Sequence, residues 1–321
     1  MLHFSKNTGT ILMNVAVGVI TRKRPRGIAR LLESISALHR AQDGGGTVRV
    51  TLIVVENDIS SALSEPLSCK VPIHYVLEPK VGIPCARNRV IKEALLLDPR
   101  PEWLAFVDDD ETVEPNWLQI MAAAAVDTDA DVLTGPSLPM LPEPVPKWAT
   151  TSGAYEQPRY PTGTSLPHAY TNNVWMRLSC VANGSIQFDE RLLHTGGSDT
   201  HFFRKLARNG HRIMWCDEAL CREWYPSTRM TRRWILQRAY RIGATNAWIM
   251  RDIGECGRLG CLWQGVRFIA RGLVRTARAL FDGNFSAATM TLPLDGARAT
   301  GLVLGAFGRA KHQEYQVLHG D

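Results

Sequence analysis

Apolar residues fall in blocks that alternate between two periods through the first part of the chain. Asn14 to Ile20 (NVAVGVI) is a continuous, β-branched run, the pattern of a strand covered on both faces. From Gly27 to His39 the apolar positions are Ile28, Leu31, Leu32, Ile35 and Leu38, which is helical spacing. A Gly44-Gly45-Gly46 turn leads into a second strand, Val48 to Val55, and Ile73 to Leu77 forms a short third. Ile83 to Leu97 reads as a helix that ends at Asp98-Pro99, because a proline disfavours helical backbone in the residue before it. Trp103 to Val107 is a fourth strand, Trp117 to Val126 a helix, and Asp131 to Thr134 another short strand. This alternation predicts an α/β fold, a doubly wound and mostly parallel sheet with helices on both faces.

The texture changes at residue 136. Prolines stand at 136, 139, 142, 144, 146, 158, 161 and 167, so residues 136 to 167 are expected to form a long irregular loop, a place where function concentrates. Regular pattern resumes at Thr171 to Met176. Ser198 to Asn209 reads as a helix with Ser198 as its N-cap and Gly210 as its stop. From Arg229 the chain is helical and basic, which places a boundary between residues 1–228 and an extension over 229–321.

Charge sharpens that boundary. The chain carries +6 overall, yet Arg229 to Arg278 holds eleven arginines, no lysine, and only Asp252 and Glu255 against them. That block is +9 (eleven minus two), which leaves −3 for the rest, and a basic extension on a mildly acidic body points to an anionic partner. In Leu262 to Phe281, Trp263, Val266, Ala270, Leu273, Val274, Ala277 and Phe281 share one helical stripe, and Arg267, Arg271, Arg275 and Arg278 form the adjoining one. That is the pattern of a helix lying in an anionic membrane surface; a helix packed on the body with a solvated basic face is the plainer reading. No recognised nucleic-acid-binding module is present, so nucleic acid is not expected as a partner.

Seven cysteines, an odd number in a long chain, are expected to be reduced in a cytoplasmic setting. The pairs Cys216/Cys221 and Cys256/Cys261 lack zinc-site spacing and read as structural thiols. The apolar run Ile11 to Ile20 leads into Thr21-Arg22-Lys23-Arg24 rather than a cleavage site, and no stretch reaches the roughly 18 to 20 apolar residues that span a bilayer.

The chemistry centres on Asp108-Asp109-Asp110-Glu111, which follows a buried strand directly. In open α/β sheets ligands bind at the carboxyl edge of the strands. Adjacent carboxylates repel one another unless a cation neutralises them, and alternate residues at a strand end, Asp108 and Asp110, point the same way. They suit a hard cation that takes its remaining ligands from phosphates; a solvated acidic turn is the plain alternative. The first strand ends in Thr21-Arg22-Lys23-Arg24-Pro25 and the second in Val54-Val55-Glu56-Asn57-Asp58, at the same edge if the strands are parallel. Glu56 and Asn57 can accept from a base or ribose, and Arg22 and Arg24 can meet phosphate, which together with the triplet, Asp109 included, outlines a nucleotide cleft. Asp199 stands at a helix start, where partial positive charge favours a carboxylate, and two glycines before it permit close approach of a ligand; an ordinary first-turn aspartate looks the same.

These motifs, in this order, resemble glycosyltransferase family 2 of the GT-A fold, with exopolysaccharide glucosyltransferases of the succinoglycan type among the nearest. The resemblance rests on the strand into a Thr-Arg turn, Val54-Val55-Glu56-Asn57-Asp58, Gly82-Ile83-Pro84-Cys85-Ala86-Arg87-Asn88, the acidic triplet, Thr171-Asn172-Asn173-Val174, and Thr195-Gly196-Gly197-Ser198-Asp199-Thr200-His201-Phe202-Phe203. It covers roughly residues 14 to 245. It implies that Thr21, Glu56 and Arg87 contact the nucleotide, Asp108 the ribose, Asn173 the donor sugar, Asp110 an Mg2+ or Mn2+ ion on the diphosphate, and that Asp199 is the catalytic base. Glu56 and Ser198 depart from the family's usual Asp and Glu. The implied reaction is inverting, metal-dependent transfer of a sugar, a hexose from a UDP-sugar, to a saccharide or lipid-linked saccharide in polysaccharide biosynthesis. That chemistry suits a protein held peripherally on the inner face of the plasma membrane. A sugar nucleotidyltransferase and a non-catalytic sugar- or membrane-binding relative are the alternatives.

Blander readings go to several neighbours. His194 and His201 are expected to be satisfied polar residues, and Phe202, Phe203 and Leu206 to be core. Trp148 and Tyr155 either stack on an acceptor sugar or pin the proline-rich loop to the body, and Glu223 is a weak candidate for a further polar group in the site.

Overall fold

In the computed structural model residues 13–41, 48–61, 67–193 and 195–309 are described; the Gly44-Gly45-Gly46 turn and His194 lie outside them. In chain order, β1 (Met13–Thr21), α1 (Pro25–Ala41), β2 (Val48–Glu56), β3 (Ile73–Leu77), α2 (Ile83–Leu96) and β4 (Trp103–Phe106) build the first half of the sheet. Then come β5 (Glu111–Val113), α3 (Trp117–Asp127), β6 (Val132–Thr134), β7 (Ser137–Met140) and α4 (Lys147–Thr151). They are followed by β8 (Val174–Arg177), α5 (Ser198–Arg208), β9 (Ile213–Trp215), β10 (Cys221–Trp224), α6 (Arg232–Asp252), α7 (Arg258–Phe281) and α8 (Phe285–Ala306).

The main sheet has seven strands in the order β3-β2-β1-β4-β8-β6-β9, and β8 alone runs antiparallel to its neighbours β4 and β6. β5, β10 and β7 form a second, three-stranded sheet. The alternation of side chains along β1 divides the core in two. Val15, Val17 and Val19 join the Ile28, Leu31 and Ile35 stripe of α1 and Trp117 of α3, whereas Ala16 joins Val90 of α2 and Phe202, Phe203 and Leu206 of α5. Helices therefore cover both faces of a mostly parallel sheet. Gly18 sits where a β-carbon would come within 2.3 Å of Val90, so its lack of a side chain lets α2 close onto the strand.

The proline-rich stretch is less irregular than its composition predicts. It contains β7, whose partner β10 lies over eighty residues on, and the short helix α4; pairing across that separation leaves no local period in the sequence. Trp148 and Tyr155 resolve as pins: both are buried beside Tyr225 and Ile235, and the Tyr155 hydroxyl donates to the Arg229 carbonyl at 2.8 Å. All seven cysteines are free, and burial pushes the Cys180 thiol up to about 12 and Cys216 up to about 11.

α6, α7 and α8 pack on one another, and α8 also meets α4. α6 and α8 touch through backbone: a β-carbon on Gly301 would lie 1.9 Å from the Tyr240 carbonyl oxygen, and one on Gly243 2.0 Å from that of Arg298. The arginines of α7 do not all stand free in one outward stripe as their spacing predicts. Arg271 and Arg275, still partly open to solvent, pair with Asp295 of α8, whereas Arg267 and Arg278 are exposed without that partner. The reason is a single buried carboxylate on the neighbouring helix, which no pattern within α7 reveals. No helix among the described residues is long and apolar enough to cross a membrane.

Candidate active site

The carboxyl ends of β1, β2 and β4, the start of α2 and the start of α5 open onto one cleft of about 800 Å³. Its wall includes Thr21, Arg22, Arg24, Asn57, Arg87, Asp108, Asp109, Asp110 and Asp199. Residues separated by up to 178 positions (199 minus 21) thus meet because parallel strands deliver their carboxyl ends to the same edge.

Within the triplet the three carboxylates have different surroundings. Asp109 is committed to the protein: Thr21 Oγ1 donates to Oδ2 at 2.8 Å and Arg24 Nη1 to Oδ1 at 2.8 Å. Asp110 accepts from Arg24 at 3.1 Å and lies 3.5 Å from Arg229 Nη1. Asp108 faces Arg87 Nη2 at 3.8 Å and keeps 35% of its side-chain surface open. Behind them Glu111 is fully buried, accepting from the Asp108 amide at 3.1 Å and from the Ser137 hydroxyl. Glu223 of β10 joins the cluster, held by the Tyr225 hydroxyl at 3.0 Å and 3.9 Å from Arg229.

Crowding shows in the acidities. Burial pushes the Asp108 carboxyl up to about 7 against the pull of Arg87, with Asp110 and Asp109 adding to the rise. Burial likewise lifts Asp109 to about 6 against Arg24. Glu111 is held well above the carboxylate range by burial and then by the charges of Asp108 and Glu223, and Glu223 is raised by burial and by Asp110. Four crowded carboxylates with raised pKa values surround Asp110, and the open oxygens of Asp108 and Asp110 are the donor type that suits a hard divalent cation, so the residues present fit Mg2+ or Mn2+. Among the described residues, the trios of metal-capable side chains whose donor atoms all lie within 4.8 Å of one another are elsewhere, at Asp131-Cys180-His211 and Asp189-His201-Asp252. The acid triplet is not one of these trios.

Arg87 links the two halves of the cleft. From the first turns of α2 it reaches Asp108 on one side and donates from Nη1 to Ser198 Oγ at 3.0 Å on the other, with its guanidinium 5.6 Å from the Phe188 ring. Ser198 is thus not the N-cap of α5. Gly197 takes that place with φ 79°, a left-handed conformation the sequence pattern does not display, and Ser198 is the first helical residue. Asp199 follows on the cleft side, its Oδ1 accepting from the Thr200 amide at 2.7 Å, and it forms no ion pair with a described residue. His168 and Tyr170, hydrogen-bonded to each other at 3.0 Å, stand beside it.

Two expected contact residues do not line the cleft. Asn173 is fully buried: its amide nitrogen donates to the Pro136 and Ala219 carbonyls at 3.0 and 2.7 Å, and its oxygen accepts from Trp117 Nε1 at 2.9 Å. Those bonds join β8, α3 and the loops at residues 136 and 219, so Asn173 positions the wall while Asn172 lines it. Glu56 is also fully buried and accepts from the Tyr75 and Ser61 hydroxyls at 2.5 and 2.8 Å. Asn57 lines the cleft and also stitches its rim, bonding the Glu78 and Lys80 carbonyls and the Gly82 amide. His201 is buried against Asp252 at 2.9 Å, and Phe202, Phe203 and Leu206 are core, as their spacing predicts.

Arg229, Tyr170 and the inward face of α6 to α8 were not legible from the sequence. Arg229 falls 119 residues from Asp110, in a block whose charge reads as solvated surface.

Comparison with known proteins identifies this architecture. The model of the family described as "Glycosyl transferase family 2" matches residues 16–181, more than half of the chain. The succinoglycan biosynthesis protein ExoM of Rhizobium meliloti (strain 1021) is 29% identical over 246 residues, which is 75% of this chain and 76% of that protein. Among solved structures, the mannosyltransferase PcManGT from Pyrobaculum calidifontis, in complex with GDP-Man and Mn2+, matches with a TM-score of 0.57 and 16% identity, over 90% of this chain and 86% of that one. S. aureus TarS 1-349 in complex with UDP matches with a TM-score of 0.50 and 16% identity, over 96% and 95% of the two chains. At such identities these structures share the fold.

Proposed function

The chain belongs to glycosyl transferase family 2 and is a glycosyltransferase; we propose that it is an inverting, metal-dependent enzyme that moves a hexose from a UDP-sugar to a saccharide or lipid-linked saccharide in polysaccharide biosynthesis. The observation that carries this reading is that Asp199, which forms no ion pair with a described residue, faces the same cleft as the acid triplet, with Arg87 bridging Asp108 and Ser198, the residue before Asp199. The names of the relatives agree with it: one serves succinoglycan biosynthesis, one structure holds GDP-Man and Mn2+, another UDP.

Residues up to 228 supply the donor side of the cleft and the acid triplet, and the basic helical extension from 229 adds wall residues to the same cleft. Thr21, Arg22, Arg24, Asn57 and Arg87 form the nucleotide side of the cleft, and Asp109 keeps Thr21 and Arg24 in place there. Asp110, with Asp108, would hold Mg2+ or Mn2+. The bound ion supplies Lewis-acid stabilisation of the departing diphosphate. Asp199 accepts the proton of the acceptor hydroxyl as that oxygen attacks the anomeric carbon from the face opposite the nucleotide, so configuration inverts in one displacement.

A panel of nucleotide-sugars incubated with and without Mn2+ or Mg2+ tests this, with products separated by chromatography. Release of UDP, dependent on the ion and nearly abolished in Asp110→Asn, is the expected outcome. Asp199→Asn should keep UDP-sugar affinity while losing about 10²- to 10⁴-fold in transfer, the range general-base catalysis contributes. Pyrophosphate release, or full activity in Asp110→Asn, overturns the reading.

A further inference from the structure

The wall of the cleft beyond Asp199 belongs to the C-terminal helices, and its charge is lopsided. Arg238, Arg241, Arg271, Arg275 and Arg298 line it from α6, α7 and α8, and Asp295 is the one acidic residue those helices add to the wall. Asp295 is already shared. Arg271 pairs with both its oxygens, and Arg275 approaches it at 3.4 Å while donating from its other Nη to the Ser152 carbonyl at 2.7 Å. Glu156, from the loop after α4, also faces the cleft on the Arg275 side.

Arg298 is left over. It rises from α8 one turn after Asp295, yet its guanidinium has no ion pair with a described residue, and its buried Nε has no hydrogen-bond partner. One face of the guanidinium lies 5.5 Å from the Phe268 ring. Burial, with Arg271 beside it, disfavours its charge more than the nearby Asp295, already shared by Arg271 and Arg275, offsets. A guanidinium cannot shed its proton in the physiological range, so a partly buried one without a counter-ion is a standing cost unless a ligand supplies the anion. Tyr170 feels the charges of both Arg298 and Asp199, and this places Arg298 beside the acceptor end rather than the triplet. The triplet has its own arginines, Arg24, Arg87 and Arg229.

We propose that the acceptor carries an oxyanion, a phosphate or a sugar carboxylate close to its reacting hydroxyl, and that Arg298, supported by Arg271, receives it in the cleft. The inference rests on reading the Asp199 side of the cleft as the acceptor side. Planar guanidinium forks match either oxyanion with paired hydrogen bonds, which a neutral sugar does not offer. An anionic acceptor would supply Arg298 with an anion, so its binding should weaken as salt rises.

The test uses full-length protein saturated with UDP and Mn2+, so that the diphosphate site is filled. Glucose 6-phosphate, glucuronate and glucose are then titrated in by calorimetry. The expected result is binding of one or both anionic sugars, the stronger naming the oxyanion, with glucose at least about tenfold weaker, the scale of one charge-assisted hydrogen-bond pair. Arg298→Gln should remove that preference, and Arg298→Lys should keep part of it, with UDP affinity unchanged in both. If Arg298→Gln proves unfolded by circular dichroism, Arg271→Gln replaces it and is expected to weaken the anionic sugars alone. Equal binding of all three sugars, or an Arg298→Gln protein that still prefers the anions, overturns the proposal. Failure to bind UDP at all would instead count against the glycosyltransferase reading of the cleft.

Discussion

Asp109, at the centre of the acid triplet, is the member least available to a ligand, because Thr21 and Arg24 hold both its oxygens. This division of labour among three identical side chains is invisible in the string Asp-Asp-Asp; it depends on which loop each carboxylate faces. The same limit explains Asn173, which stands in the expected motif but spends its amide on the Pro136 and Ala219 carbonyls. What the sequence does display is chemistry placed next to a strand end or a helix start: Thr21, Asp108 and Asp110 reach the cleft from strand ends, Arg87 and Asp199 from the first turns of α2 and α5. His168 yields a test at this scale. Burial, with Arg204 nearby, pushes its imidazole down to about 4, so the folded protein holds it neutral where the unfolded chain titrates near the usual value of about 6.5. A depressed histidine contributes stability that is complete above that unfolded value and is lost as pH falls toward 4. Thermal melts of the parent and His168→Asn between pH 7.5 and 4.5 should therefore diverge, the parent losing more stability on acidification. Parallel profiles would show that His168 titrates as in free solution.

Among the elements, α5 depends most on its entry. Its amphipathic spacing is plain in the sequence, and Phe202, Phe203 and Leu206 bury as predicted. Its first turn is set by something the pattern does not carry: Gly196 and Gly197 both have positive φ, at 73° and 79°. A β-carbon on Gly197 would also lie 2.5 Å from the Thr245 methyl of α6, so this turn is wedged between the sheet and the C-terminal helices. The left-handed region costs a residue with a β-carbon about 1 to 2 kcal/mol. Gly197→Ala is expected to destabilise the protein by at least that much in urea unfolding, since the contact with Thr245 adds to it. Turnover should fall more than UDP affinity does, because Asp199 moves while the triplet stays. Unchanged stability and turnover would mean that the α5 entry tolerates a different conformation. β7 and β10 mark the opposite case: their few residues, paired across the long loop, carry too little local pattern to be found before the fold is known.

For the whole molecule the open question is what α7 faces. Its inner side gives Arg271 and Arg275 to the cleft, while Trp263, Val266, Leu273, Val274 and Phe281 remain exposed on the other, with Trp263 at 65% and Phe281 at 92%. A contiguous apolar stripe of this kind is unusual on a surface that meets only water. Arg258, Arg267 and Arg278 are exposed on the same helix, with Asp282 at 3.8 Å from Arg278 as the acidic neighbour. Apolar residues with an arginine border suit an anionic lipid surface, where each such charge contributes about 1 kcal/mol and the buried rings add more. If the acceptor is lipid-linked, a cleft wall and a membrane face on one helix would bring acceptor and base together. The full-length protein should sediment with phosphatidylglycerol vesicles at low salt and much less with phosphatidylcholine or at high salt, where surface charges are screened. Trp263→Ser with Phe281→Ser should release it without affecting metal-dependent UDP-sugar hydrolysis, because neither residue lines the cleft. Arg271 and Arg275 are unsuitable for this test, since changing them alters the cleft as well as the charge. If the double serine variant sediments as fully as the parent, the stripe is not the attachment surface, and α7 serves only to close the cleft from behind.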